Sequence, residues 1–228
     1  MKPAIVKSLP THGELSNFGG WLIHTTGDGI PSKYYKANHL QPNTLLSYAV
    51  SVYEGMAEGP HFVIAPDGSY AAIRDVNGVA WHAGISAEER QLFLTGHWET
   101  SKKLIDGIVD WWQHRWPTYK SPSHLYPSSS INKDYLGIEL IPAGTYVNNS
   151  WAPVLAHGRA TVGPRGRFTI NQYVTLAKLV PYGLSANRFL GHEDVNPITR
   201  PGWDPGDKLG AFDWKFMHDL HRALTEVD

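Results

Sequence analysis

Trp21-Leu22-Ile23-His24 is a short apolar run that closes on a polar tip, the pattern of a strand buried in a sheet. Tyr135-Leu136-Gly137-Ile138-Glu139-Leu140-Ile141 repeats it farther along, again apolar with one polar interruption. Between the two, Leu45, Leu46, Ala49, Val50, Tyr53 and Met56 recur at helical spacing, with Asn43 as the expected N-cap. His61 to Ala65 and Tyr70 to Arg74 flank Pro66-Asp67-Gly68, which predicts a hairpin. Val79 to His82 reads as an added edge strand. Residues 142–170 are rich in Gly and Pro and read as irregular. A helix from about Asn171 to Val180, a short strand at Arg188 to Leu190, and a final helix capped by Asp213 complete the pattern. Strands and helices mixed in this way predict an α/β fold, with a central mixed β-sheet flanked by helices.

No repeat or linker divides the chain, so a single domain over 1–228 is expected. Residues 85–131 differ in character. Lys102 to Trp116 has helical periodicity, and a Pro/Ser-rich loop follows it. The segment reads as an insertion carrying Trp98, Trp111, Trp112 and Trp116, which serve either as core or as a wall beside a groove.

The formal net charge of −1 leaves no electrostatic footprint for nucleic acid or for an anionic membrane. With no cysteine in the chain, disulfides and thiolate metal sites are excluded, and any metal must take His, Asp or Glu. The N-terminus has no run of signal-peptide type, and no segment approaches the roughly 20 apolar residues of a membrane span. A product that is cytoplasmic as synthesised is expected, and action at the cell wall would then need a holin-type release.

Most of the twelve histidines must be ordinary surface or core residues. Two stand where a sheet would fix a side chain at the rim of a cleft: His24 at a strand end, and His192 just after Phe189-Leu190. Asp204 lies in Trp203-Asp204-Pro205-Gly206, a rigid turn able to present one carboxylate oxygen. Two histidines and one carboxylate would leave a fourth zinc position open for water, as catalytic zinc requires. Glu139 lies between Ile138 and Leu140 and so alternates away from the apolar face of its strand. The same pattern also suits a solvent-facing glutamate. His61 reads as a packing residue or a support for a ligand.

The ordered series Trp21–Thr26 (WLIHTT), 59–75 (GPHFVIAPDGSYAAIRD), 79–84 (VAWHAG), 136–141 (LGIELI), 189–197 (FLGHEDVNP) and 203–206 (WDPG) resembles the zinc N-acetylmuramoyl-L-alanine amidases of the type-2 family. That family shares its fold with the peptidoglycan recognition proteins. It includes phage endolysins and wall-recycling enzymes. The likeness covers most of residues 19–216, with gaps at 85–131 and 142–167. It implies that His24, His192 and Asp204 hold Zn2+, and that Glu139 is the catalytic base. It implies a peptidoglycan or muropeptide substrate, cleaved between N-acetylmuramic acid and L-alanine. His82 is similar to a histidine near the family's substrate groove, and it reads either as substrate-binding or as a structural buttress. Trp81 beside it reads as groove wall or core.

Two positions depart from the family pattern. Where many members have a lysine two residues before the third ligand, this chain has Gly202; Arg200 is the substitute candidate for stabilising the oxyanion, or else an exposed loop residue. Where some phage members have a tyrosine before the hairpin His-Phe, this chain has Pro60. The competing reading is a non-catalytic peptidoglycan-binding module of the same fold, but such modules typically lack a metal ligand. An unrelated zinc hydrolase is disfavoured by the missing H-E-x-x-H helix.

Overall fold

The computed structural model describes residues 1–15, 18–26, 42–83, 131–142, 144–147, 150–153, 168–179, 189–192 and 212–225. The insertion up to 130 and the segments holding Arg200, Gly202 and Asp204 lie outside the described residues, as does the expected helix at Lys102 to Trp116.

Among the described residues six strands form one mixed sheet: β1 (Ile5–Val6), β2 (Gly20–Thr25), β3 (Phe62–Ile64), β4 (Tyr70–Ala72), β5 (Tyr135–Leu140) and β8 (Phe189–Gly191). Their spatial order is β1-β4-β3-β5-β2-β8. The β3–β4 hairpin is antiparallel, whereas β3, β5, β2 and β8 run parallel to one another. Both β2 and β5 are buried along their whole length, which is why they read as nearly continuous apolar runs.

The period-two alternation sorts the core onto two faces. Trp21, Ile23, Phe62, Ile64, Ile138 and Leu140 point to one face. There they meet Tyr173 and Leu176 of α3 (Ile170–Leu179) and Trp214 and Met217 of α4 (Trp214–Thr225). Val63, Ala71 and Ile73 point to the other face, against Leu45, Leu46, Ala49 and Val50 of α1 (Pro42–Glu54). A four-residue helix, α2 (Ile131–Asp134), leads directly into β5.

Helix ends account for their own positions. Asp213 caps α4 as expected: its Oδ1 accepts the Phe216 N–H at 2.8 Å. At α3, Thr169 Oγ1 accepts the Gln172 N–H (3.2 Å), while Gln172 Oε1 accepts the Thr169 N–H (3.0 Å). This reciprocal capping box starts the helix at Ile170, one residue earlier than read from periodicity. Helix α1 begins at Pro42, so Asn43 falls inside the first turn rather than at the N-cap. A proline suits that first position, because its missing N–H would have no helical partner there.

Two further expectations are corrected. Val79 to His82 adds no strand to the sheet. Val79 instead exchanges backbone hydrogen bonds with His12 and Gly13, and the Trp81 carbonyl accepts the Gly59 N–H. The edge beside the hairpin is taken by β1, parallel to β4. The 142–170 stretch contains an antiparallel pair, β6 (Gly144–Val147) and β7 (Ser150–Pro153).

Candidate active site

In a parallel sheet, residues in register on neighbouring strands present their side chains to the same face. His24 on β2 is in register with Glu139 on β5, and Glu139 with Val63 on β3. Trp21 to Ile23 pair with Phe189 to Gly191, so the next residue, His192, emerges beside His24. Two imidazoles and a carboxylate therefore gather on one face, at the carboxyl ends of β2, β5 and β8. The crevice beyond the carboxyl ends of parallel strands is where open α/β sheets bind their ligands. All three residues are buried, and Glu139 at 8% exposure is not a solvent-facing strand residue.

The histidines form a chain of contacts. His24 Nδ1 and His192 Nδ1 face each other at 2.8 Å. On its other side, His24 Nε2 lies 2.9 Å from His82 Nδ1, with the two rings nearly perpendicular at 86°. His82 Nε2–H donates to the Tyr135 carbonyl at 2.8 Å. Both nitrogens of His82 thus have partners within the protein. Burial, with the proximity of His61, holds its pKa down at about 3, so the ring stays neutral.

His61 supports this arrangement from beneath. Its Nε2–H donates to the Gly78 carbonyl (2.9 Å) and its Nδ1 accepts the Gly137 N–H (3.0 Å). Burial is the main cause of its lowered pKa of about 4. Arg74 spreads its guanidinium over the carbonyls of Pro10, Met56, Ala57, Glu58 and Pro60, which shapes the turn leading into His61. Trp81 is 49% exposed and stacks on His12 with ring centroids 3.9 Å apart. It is an aromatic surface next to His82 in sequence rather than a core residue.

One determinant escaped the sequence reading. A Cβ on Gly137 would stand 2.4 Å from His82 Cγ and 2.8 Å from its Nδ1. The glycine is what lets the imidazole lie across β5. Its position inside an otherwise apolar strand was the available signal, since a strand glycine often marks a close approach.

Among the described residues no three His, Asp or Glu side chains gather as a metal-binding group. His24 and His192 face each other as a pair, and Asp204 and Arg200 lie outside the described residues.

A mixed sheet whose parallel strands end on two facing imidazoles and a buried glutamate places this chain among α/β proteins that work at strand ends. The chain belongs to the N-acetylmuramoyl-L-alanine amidase family, whose model matches residues 20–207. It is therefore an amidase of the peptidoglycan-directed kind, as the ordered motifs imply. Its fold is similar to that in a crystal structure of a selenomethionine derivative of AmpD, with a TM-score of 0.51 and 18% sequence identity. That likeness covers 96% of this chain and 95% of the other. Comparison with curated proteins finds no significant match.

Proposed function

We propose that the protein is a zinc-dependent amidase that hydrolyses the lactyl amide between N-acetylmuramic acid and L-alanine, in peptidoglycan or in muropeptides released from it. The observation that carries this reading is the convergence of His24 Nδ1 and His192 Nδ1, 2.8 Å apart, on the strand-end face that also holds Glu139. Two imidazole nitrogens so close can share a proton or a cation. Imidazole nitrogens paired this closely, in a chain without cysteine, are the donor type that zinc takes. The donor set suits that metal, with Asp204 as the third ligand on the strength of the family motif.

Held by His24 and His192 with Asp204, zinc would supply Lewis acidity, polarising the amide carbonyl and making the attacking water more acidic. Glu139 takes the proton from the attacking water. The water oxygen bonds to the lactyl carbon, the C–N bond breaks, and Glu139 returns the proton to the departing L-alanine nitrogen. Arg200 stabilises the negative charge that develops on the carbonyl oxygen. Burial of Glu139 between two strands keeps its carboxylate in one place through both proton transfers.

The test is mass spectrometry of products from intact sacculi and from soluble muropeptides, with and without chelator. Release of peptides beginning with a free L-alanine amine, abolished by chelation and restored by zinc, is the expected result. Wall binding without any cleavage would overturn the reading in favour of a binding module.

A further inference from the structure

A backbone carbonyl can only accept a hydrogen bond, and that fact propagates through two imidazoles. His82 Nε2 lies 2.8 Å from the Tyr135 oxygen, so this nitrogen carries the proton. The neutral ring then has a bare Nδ1, and the atom facing it is His24 Nε2 at 2.9 Å. His24 Nε2 must therefore be the protonated nitrogen of its own ring. Of the two neutral tautomers of His24, only the one with a bare Nδ1 satisfies this chain. That Nδ1 is the atom aimed at His192.

Several contacts hold His82 in place. Its own N–H and that of Ala83 both donate to Asn132 Oδ1, at 3.1 and 2.8 Å. Asn132 Nδ2 donates back to the Ala83 carbonyl. Gly137 leaves room for the ring.

We infer that His82 is a positioning residue: relayed from the Tyr135 carbonyl, it locks His24 in the tautomer and orientation whose Nδ1 can ligate a metal. The inference rests on the zinc reading above and adds a role that substrate contact would not require. Outer hydrogen bonds of this kind typically change metal affinity 10- to 100-fold.

The experiment has two arms. In the first, 15N-edited spectra of the histidine side chains of the metal-free protein report which ring nitrogen is protonated. Both His24 and His82 are expected as Nε2–H tautomers. In the second, zinc affinity is measured by chelator competition. His82→Phe fills a similar volume without an acceptor, and it should weaken zinc binding about 10- to 100-fold while the protein stays folded. His82→Gln, which again offers an acceptor and a donor, should recover much of that loss. His24 found as the Nδ1–H tautomer, or wild-type zinc affinity in His82→Phe, overturns the inference. If His82→Phe does not fold, the wild-type spectra still decide. A protein with the expected tautomers that binds no zinc would sink the zinc reading and the ligand-positioning role together. Firm zinc binding with the opposite tautomers would sink only the role of His82.

Discussion

Glu139 stands directly beside His24, the two paired Cα to Cα across the adjacent parallel strands β5 and β2. Neighbouring strands lie about 4.8 Å apart, so sheet hydrogen bonding alone sets the carboxylate next to the imidazole. Neither residue depends on a loop for its place. His192 follows from the same logic one strand farther out, because β8 pairs with β2 in register. The strand framework thus assembles three of the five residues of the proposed site, and Asp204 and Arg200 lie outside the described residues.

The first prediction concerns Glu139. Glu139→Gln preserves volume and hydrogen bonding but cannot take a proton. It should lower turnover by about 10²- to 10⁴-fold, the usual worth of a general base, with zinc content unchanged. Release of L-alanine amino groups from purified wall, together with metal analysis, checks both halves. Wild-type turnover in this variant would move the base elsewhere.

Much of this was legible from residue order, and the exceptions have physical causes. β2, the hairpin, β5, α3 and α4 each carry a full period of apolar spacing, long enough to read. β1 is two residues, Ile5 and Val6, and owes its strand character to pairing with Ala71 and Ala72. β6 and β7 lie in a Gly- and Pro-rich stretch and, among the described residues, pair with each other. Within the site, the positions of His24, Glu139 and His192 followed from strand ends. The role of His82 did not, because it depends on a carbonyl 53 residues away and on the missing Cβ of Gly137.

Gly137→Ala tests that missing Cβ. The residue does not adopt a positive φ, so backbone strain is not the issue. The new methyl carbon would sit 2.4 Å from His82 Cγ, and one of the two must move. Overpacking of this kind costs about 1–3 kcal/mol. Displacing His82 should also weaken zinc binding beyond what the stability loss explains. Chelator competition and urea unfolding on the same sample separate the two effects, and unchanged zinc affinity would show that the ring has room to shift without disturbing His24.

Gln172 tests the attachment of α3 to the sheet. Its buried amide donates to the carbonyls of Ile64 (3.2 Å) and Ile141 (2.7 Å), while its oxygen accepts the Thr169 N–H. The Ile64 oxygen also accepts from the Ile141 N–H, so it would keep a partner if the amide were lost. Gln172→Leu would deprive the Thr169 N–H and the Ile141 oxygen of these bonds. At about 1–3 kcal/mol per buried group left unsatisfied, a loss of about 3 kcal/mol is expected. The urea midpoint should fall clearly, while activity well below that midpoint is retained. A loss under about 0.5 kcal/mol would mean that water replaces the amide.

The last prediction concerns pH. His61 accepts the Gly137 N–H at Nδ1, so protonating that nitrogen breaks a hydrogen bond and puts charge into the core. Burial first, and then the nearby Arg74 charge, lower its pKa to about 4, and His82 is lowered to about 3. In the unfolded chain a histidine titrates near about 6.5. Below that value the unfolded state binds more protons than the folded one, so stability is full above about pH 6.5 and falls as the pH drops towards 4. At pH 5 each of these imidazoles should have cost about 2 kcal/mol, while carboxylates remain mostly ionised. The zinc-free protein is the sample to use, since metal release from His24 and His192 would add its own pH dependence. Its urea midpoint should be level near neutrality and decline from about pH 6.5 to 5, and His61→Gln should flatten that decline. A midpoint that holds level to pH 5 would mean that the folded protein takes up these protons as readily as the unfolded chain does.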